Sequence, residues 1–251
     1  MTSFAQPHDV LAVDIGATNI KYAHVSLDGV LRDSVHRRRT PYPCTPDRLV
    51  QWLALRIEKS PVRQVAIGFP GECSGGRVVR PGNLSRRTGV GSDVDPAIDD
   101  AWRDFPLSDV IRERTSRDVR VVNDATLAAL GCVGESRELL VSLGTGCGVA
   151  LFDQGEPVPI EDLGAVEVAA GLTYDEAVGE RARMRDVAQW ERTVGDVLVT
   201  LVARWRPQIL HVAGGNAKRL SPRVWADVPC EVVIQGNDAA LRGAARLFRA
   251  V

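Results

Sequence analysis

Leu11-Ala12-Val13-Asp14-Ile15-Gly16-Ala17-Thr18-Asn19-Ile20-Lys21 reads as an apolar strand that breaks into a turn of small and polar residues. The strand delivers Asp14 to the turn, with Thr18 and Lys21 close behind. Such a break presents backbone N–H groups to an anion. A single strand followed by Asp-x-Gly is common in α/β cores, so recurrence decides the reading. Val141-Ser142-Leu143-Gly144-Thr145-Gly146-Cys147-Gly148 and Val212-Ala213-Gly214-Gly215-Asn216 repeat the same physical pattern. Strands that keep ending in glycine turns predict an α/β fold with a nucleotide cleft.

Working outward, residues 11–16 form a first strand, and 20–27 with 30–38 form an antiparallel hairpin around Asp28-Gly29. Thr45-Pro46-Asp47-Arg48 opens a helix that runs to residue 58, with Trp52, Leu53, Leu55 and Ile57 as its apolar surface. A strand over 62–69 ends in Pro70-Gly71, and the polar stretch up to residue 95 reads as a flap or small hairpin insertion. Residues 106–117 are helical with Ser108 as a candidate cap, and the strand 119–123 runs straight into Asp124. A helix over 125–134 precedes the strand pair 139–143 and 148–152. A mostly helical stretch over 174–205 carries Val187, Trp190, Val194, Val197, Leu198, Leu201 and Val202 at packing positions. Pro207 stops it before the strand 209–213, and 238–248 is a terminal helix. The expected organisation is a lobe over 1–122 with the first phosphate turn and the flap, and a lobe over 123–251 with the other two turns, the terminal helix packing back on the first.

Composition narrows the function classes. The chain has 251 residues, 45% hydrophobic and 25% charged, with a formal net charge of -1. That is an ordinary soluble balance without the basic excess of a nucleic-acid binder. No apolar run is long enough for a membrane span, and residues 1–8 lack the basic start and apolar core of an export signal, so the expected location is cytoplasmic. Cys44, Cys73, Cys132, Cys147 and Cys230 are odd in number and never spaced as C-x-x-C, which argues against a disulfide scaffold and a clustered zinc site. With only four scattered histidines, the chemistry falls to carboxylates.

Phosphoryl transfer needs a held polyanion, neutralised charge and a group that orients the attacking hydroxyl. The turns at 14–18 and 144–148 offer the cradle, with Asp14, Gly16, Thr18, Gly144, Thr145 and Gly146 as its residues, and Gly214, Gly215 and Asn216 let an adenine or ribose approach the backbone. Asp14 suits Mg²⁺ held through water. Lys21 either offsets phosphate charge or is a solvated strand residue. Asp124 stands where a strand gives way to a helix and is the candidate general base, although a plain helix N-cap accounts for it equally well. The Walker loop, the dinucleotide fingerprint with its acidic ribose contact and the G-x-S-x-G elbow are all missing, which disfavours those three chemistries.

In order and spacing these motifs resemble the ROK family of sugar kinases and repressors, within the actin, hexokinase and Hsp70 superfamily. The likeness is greatest to its short actinobacterial polyphosphate/ATP glucokinase branch. It is carried by 14–21, Ile67-Gly68-Phe69-Pro70-Gly71, Asn123-Asp124-Ala125-Thr126, 143–152 and Ala213-Gly214-Gly215-Asn216. The resemblance implies a two-lobed, duplicated ribonuclease H-like fold with an interlobe cleft. It further implies Mg²⁺-dependent transfer of a terminal phosphoryl group from ATP, with polyphosphate as an alternative donor, and Asp124 as the base. Many relatives are homodimers, and the first phosphate strand begins too early for a repressor's helix-turn-helix. Asn83, Asn123 and Asp124 resemble residues that bind sugar hydroxyls.

Asp162-Leu163-Gly164-Ala165-Val166-Glu167 departs from the family's E-L-G-H-x-E pattern: Asp162 is shorter than the expected Glu, Ala165 replaces a His, and Glu167 remains. Such a change predicts either an altered acceptor, such as an amino sugar, a deoxy sugar or a cyclitol, or a catalytically weak sugar sensor. The family's structural-zinc cysteines are absent. Arg77, Arg80, Arg86 and Arg87 around Asn83 are open to two readings, a solvated face or a groove for polyphosphate or an anionic acceptor.

Overall fold

The computed structural model describes residues 5–249 as two compact units. The first runs to Gly131 and takes back the chain from Ala240; the second is Cys132–Ala239. Residues 1–4, half of the segment read for an export signal, lie outside the described residues.

The first unit is built on a five-stranded sheet. β1 (Val10–Ile15), β2 (Asn19–Val25) and β3 (His36–Arg39) form an antiparallel meander. α1 (Pro46–Ile57), capped by Thr45, leads to β4 (Gln64–Phe69). The insertion contains the hairpin β5 (Glu72–Ser74) and β6 (Arg77–Arg80), then α2 (Pro96–Trp102). α3 (Leu107–Thr115), β7 (Asp118–Asn123) and α4 (Asp124–Leu130) complete the run. The sheet order is β3-β2-β1-β4-β7, with β1, β4 and β7 parallel.

The second unit repeats that order. β8 (Glu138–Leu143), β9 (Cys147–Asp153) and β10 (Glu156–Val158) form the meander. A short pair, β11 (Glu167–Ala169) and β12 (Leu172–Thr173), precedes α5 (Tyr174–Val178), α6 (Glu180–Arg185) and α7 (Val187–Trp205). β13 (Ile209–Ala213) and β14 (Glu231–Ile234) are parallel to β8, giving the order β10-β9-β8-β13-β14. α8 (Ala239–Gly243) and a 3-10 turn over Ala244–Phe248 end the described chain. The same five-strand topology occurring twice is the duplicated core the sequence pointed to, and it makes the turn after β1 the equivalent of the turn after β8.

Several boundaries differ from the sequence reading, each for a local reason. The units divide at Gly131/Cys132 rather than after residue 122, because α4 belongs with the first sheet: Gly68 leaves just enough room for Leu127 and the Asp124 backbone against β4. The second hairpin strand is reduced to His36–Arg39 because Asp33 binds both the backbone N–H and Nδ1 of His24, drawing the chain out of the ladder. Ser108 does not cap α3; it lies inside the helix and its hydroxyl donates to the Val119 carbonyl. Leu55 and Val187 are exposed, at 49% and 52%, whereas Leu49, Val50 and Ala54 share α1's buried face. The 174–205 stretch is three helices, broken at Gly179 and again at Asp186, which caps α7. The helix α2, begun by Asp95 and Pro96, and the strand β14 went unread.

Candidate active site

In the first unit the register brings three strand ends together. Asp14 lies opposite Gly68, Gly68 opposite Val122, and Phe69 opposite Asn123, all at the carboxyl ends of parallel strands. Such ends are where α/β sheets bind ligands. A β-carbon at Gly68 would sit 3.2 Å from the Asp124 Cα and 2.9 Å from a Leu127 methyl, so glycine is what lets the first turn of α4 rest on β4.

The cap of α4 is Asn123. Its Oδ1 accepts from the N–H groups of Ala125 and Thr126 at 2.9 and 3.1 Å, and its Nδ2 donates to the Gly71 carbonyl at 3.0 Å. Asp124 is therefore the first helical residue, half-buried, with Oδ1 accepting the Ala125 N–H at 2.8 Å. The capping alternative for Asp124 is thereby corrected: its neighbour does that work. Asn123, a predicted sugar ligand, spends its amide oxygen on the helix.

Asp14 is 14% exposed and its Oδ2 receives Lys21 Nζ at 2.9 Å, across the β1–β2 ladder. Lys21 thus already faces an anion, whichever of its two roles is considered. The turn that follows is braced by residues the sequence reading missed. The Gly16 N–H donates to the Asn19 carbonyl, Thr40 Oγ1 donates to the Gly16 carbonyl at 2.6 Å, and the Thr40 N–H donates to the Thr18 carbonyl. The Tyr42 hydroxyl reaches the Ala17 carbonyl at 2.8 Å and the Asn83 carbonyl at 3.2 Å, tying the phosphate turn to the flap. Burial pushes the Tyr42 phenol up, so it stays a donor. Asn83 Oδ1 accepts from Arg86 Nε at 2.8 Å. Thr40 and Tyr42 carried no motif, so nothing in the sequence marked them.

The flap arginines find local partners. Arg77 pairs with Asp104 at 2.7 Å, Arg80 with Glu72 at 2.6 Å and Arg87 with Asp95 at 3.8 Å, while Arg86 holds Asn83. Arg77, Arg80 and Arg87 are each answered by a nearby acid, which favours the solvated face over the groove.

In the second unit Asn216, 4% exposed, gathers the two glycine turns. Its N–H donates to the Leu143 carbonyl at 3.0 Å and its Nδ2 to the Gly144 carbonyl at 3.2 Å. The Glu180 N–H, released by the break at Gly179, donates to the same Gly144 carbonyl at 2.9 Å. Arg183 holds the Glu180 carboxyl below the usual carboxylate range, and the Asn216 side chain adds to that effect. Asp175 fills the space beneath Gly146: its Oδ1 accepts the Cys147 N–H at 2.8 Å, and a β-carbon at Gly146 would strike the carboxylate. Thr145 lies between these two anchored glycines. A β-carbon at Gly144 or Gly215 would meet nothing within 4 Å, so both turns are open on one side. Asp175 and Glu180 were missed because the mostly helical pattern over 174–205 hides the break that aims them.

Asp162 starts a 3-10 turn, its Oδ1 accepting the Gly164 N–H at 3.1 Å, and Ala165 and Glu167 are exposed. Cys147 is buried, and burial followed by the charges of Asp175 and Asp162 pushes its thiol up, which fits packing and not redox work. Among the described residues, no group of three or more His, Cys, Asp and Glu is arranged to hold a metal, and no helix is long and apolar enough to cross a membrane. Asp33, His24 and Ser60 form a hydrogen-bonded chain with both links at 2.7 Å. Ser60 is 6% exposed and is followed by Pro61, which has no N–H for an oxyanion, so this chain clasps β2 to the end of α1 without hydrolytic chemistry.

Residues 10–159 match the ROK family. Polyphosphate glucokinase of Mycobacterium leprae is 26% identical over 95% of this chain and 74% of its own length. The crystal structure of the inorganic polyphosphate/ATP-glucomannokinase of Arthrobacter sp. strain KM superposes with a TM-score of 0.79 at 26% identity, covering 95% of this chain and 97% of that one. A Streptomyces griseus ROK glucokinase, solved with glucose and AMPPNP, shares the fold with a TM-score of 0.74 at 21% identity, covering 95% and 98%. With its paired five-strand cores and its glycine turns in family order, this chain belongs to the ROK family, among its sugar kinases.

Proposed function

We propose that the chain transfers the terminal phosphoryl group of ATP to a primary hydroxyl of a hexose or hexose-like acceptor, with Asp124 as general base. The observation that carries the reading is the division of labour at the end of β7. Asn123 takes the N–H groups of Ala125 and Thr126 as the cap of α4, and Asp124, held at the carboxyl end of the parallel strands with its Oδ1 on the Ala125 N–H, is not the capping residue. As the acceptor oxygen bonds to phosphorus, its proton passes to Asp124, the bridging P–O bond breaks and ADP leaves. Asn83 and Asp124 would hold acceptor hydroxyls. Gly16 and Thr18, with Gly144, Thr145 and Gly146, would cradle phosphate oxygens, and Gly214, Gly215 and Asn216 would receive the adenosine.

Asp14 has the donor chemistry for Mg²⁺, since that ion takes one or two carboxylates, substrate phosphates and its own waters and needs no cage of protein ligands. When bound it supplies positive charge to the phosphates being parted. Lys21, paired with Asp14, adds a fixed positive charge on the same face.

A sensor reading has one observation in its favour. Asp162 spends an oxygen capping its own turn and Ala165 offers no hydrogen bond, so two acceptor contacts of the family pattern are reduced. The deciding experiment measures Mg²⁺-dependent ATP consumption against glucose, mannose, glucosamine, N-acetylglucosamine, kanosamine and C7 cyclitols, with product mass determined. One preferred acceptor is expected, gaining a single phosphate. Binding of an acceptor without turnover by any donor would favour the sensor.

A further inference from the structure

The edge strand of the first sheet carries two arginines, Arg37 and Arg39, that the catalytic reading leaves unused. In the ladder register Arg37 lies opposite Lys21, and Lys21 opposite Asp14. Residues paired across a ladder share a face, so these three form one row across the strands, and the Lys21–Asp14 contact at 2.9 Å fixes which face it is. Arg39, two residues on, is on that same face opposite Asn19, directly after the phosphate turn. The opposite face is closed: Tyr22 and His36 stack with ring centroids 5.0 Å apart, and Trp52 of α1 packs on Tyr22.

Arg37 and Arg39 are exposed, and among the described residues neither guanidinium has a carboxylate partner. The contrast with the flap is informative, because there Arg77, Arg80 and Arg87 each face an acid. One arginine would protect a sheet edge from pairing with another chain. Here two project on the Asp14 face at alternate positions, beside the turn that would hold a terminal phosphate. Strand spacing puts the Lys21 backbone about 5 Å and the Arg37 backbone about 10 Å from that of Asp14, and the Arg39 backbone about 7 Å along the strand from Arg37. With Lys21 held by Asp14, Arg37 and Arg39 are a spaced pair of cations on this edge, suited to a ligand with repeated negative charge.

We infer that the Arg37–Arg39 edge of β3 is a track for a linear inorganic polyphosphate, holding the part of the donor chain that extends beyond the phosphoryl group being transferred. The inference rests on the kinase reading for the identity of the site and adds residues that select the donor. Guanidinium groups suit phosphate oxygens through paired N–H donors, and such contacts weaken with salt. ATP, whose nucleoside has its own turn at Gly214–Asn216 in the proposal above, gains little from these arginines.

The test compares wild type with the Arg37→Gln/Arg39→Gln double variant in two assays, both at low and at raised salt. The first is calorimetric titration with linear polyphosphate, which needs no turnover. Affinity is expected to fall about tenfold in the variant, with wild-type binding the more salt-sensitive. The second is the acceptor assay with polyphosphate or ATP as donor: KM for polyphosphate should rise about tenfold while KM for ATP stays within about twofold. Equal polyphosphate affinity in the two proteins, or an equal loss with both donors, would overturn the track. Failure of wild type to bind polyphosphate while still using ATP would overturn it and leave the kinase intact. Arginine-dependent binding with no turnover by either donor would support the track as a polyphosphate site and count against the kinase.

Discussion

At the scale of single residues, Asn123 and Asp124 show how adjacent side chains divide capping and chemistry. Both types favour helix N-caps, so the dipeptide alone leaves open which one caps. The structure assigns the cap to Asn123, and two mutations then separate the roles. Asn123→Ala should cost about 1 kcal/mol in chemical denaturation, the usual worth of such a cap. Asp124→Asn should leave stability within about 0.5 kcal/mol, as for changes away from caps and core. The same change should lower kcat by about 100-fold or more, the scale of a lost general base. Near-normal kcat in Asp124→Asn with the preferred acceptor would remove Asp124 as base. Asp14 and Lys21 were visible from spacing, but their mutual ion pair follows only from the β1–β2 register.

At the scale of elements, the second phosphate turn depends on a helix that stops. Gly179 ends α5, the Glu180 N–H turns to the Gly144 carbonyl, and Asp175 from the preceding turn occupies the space under Gly146. Gly146→Ala would push a methyl into that carboxylate, and a melting experiment should show destabilisation of about 1–3 kcal/mol, the cost of overpacking, together with weaker nucleotide binding. Gly144→Ala is the matched control for stability, since its methyl would enter open space, and it should melt close to wild type. If both variants melted alike, the Asp175 contact would not be what restricts position 146. The glycine pattern of this turn was readable in advance. Its support was not, because hydrophobic periodicity over 174–205 is continuous enough to mask two helix breaks whose purpose is tertiary.

At the scale of the whole molecule, acid stability reports on a buried polar group far from any proposed ligand. Glu138, 3% exposed at the start of β8, binds His211 Nε2 at 2.6 Å, the Ser136 hydroxyl at 2.7 Å and the Gly134 N–H at 2.9 Å. Burial opposes its ionisation, but those hydrogen bonds, led by His211, outweigh it and hold the carboxyl below its ordinary value of 4.5. A depressed folded-state pKa means the unfolded chain takes up the proton first, so this stabilisation is present above about pH 4.5 and is lost as pH falls through the folded value. Glu138→Gln should cost about 2 kcal/mol at neutral pH and flatten the acid limb of a stability-against-pH curve; an unchanged limb would place acid sensitivity elsewhere.

The sequence by itself determined the α/β class, the family resemblance, the glycine turns and the carboxylates, because these depend on local order: a strand, a small-residue turn, an acid at a strand end. Tertiary structure alone decided that α4 belongs to the first unit, that Tyr42 and Thr40 brace the first turn and Asp175 and Glu180 the second, and that Arg37 and Arg39 share the face of Asp14. The physical reason is sequence distance. A turn or cap is fixed within a few residues, whereas Tyr42 meets the Asn83 carbonyl and Cys147 meets Asp175 only after strand register and helix breaks have carried distant segments to one place.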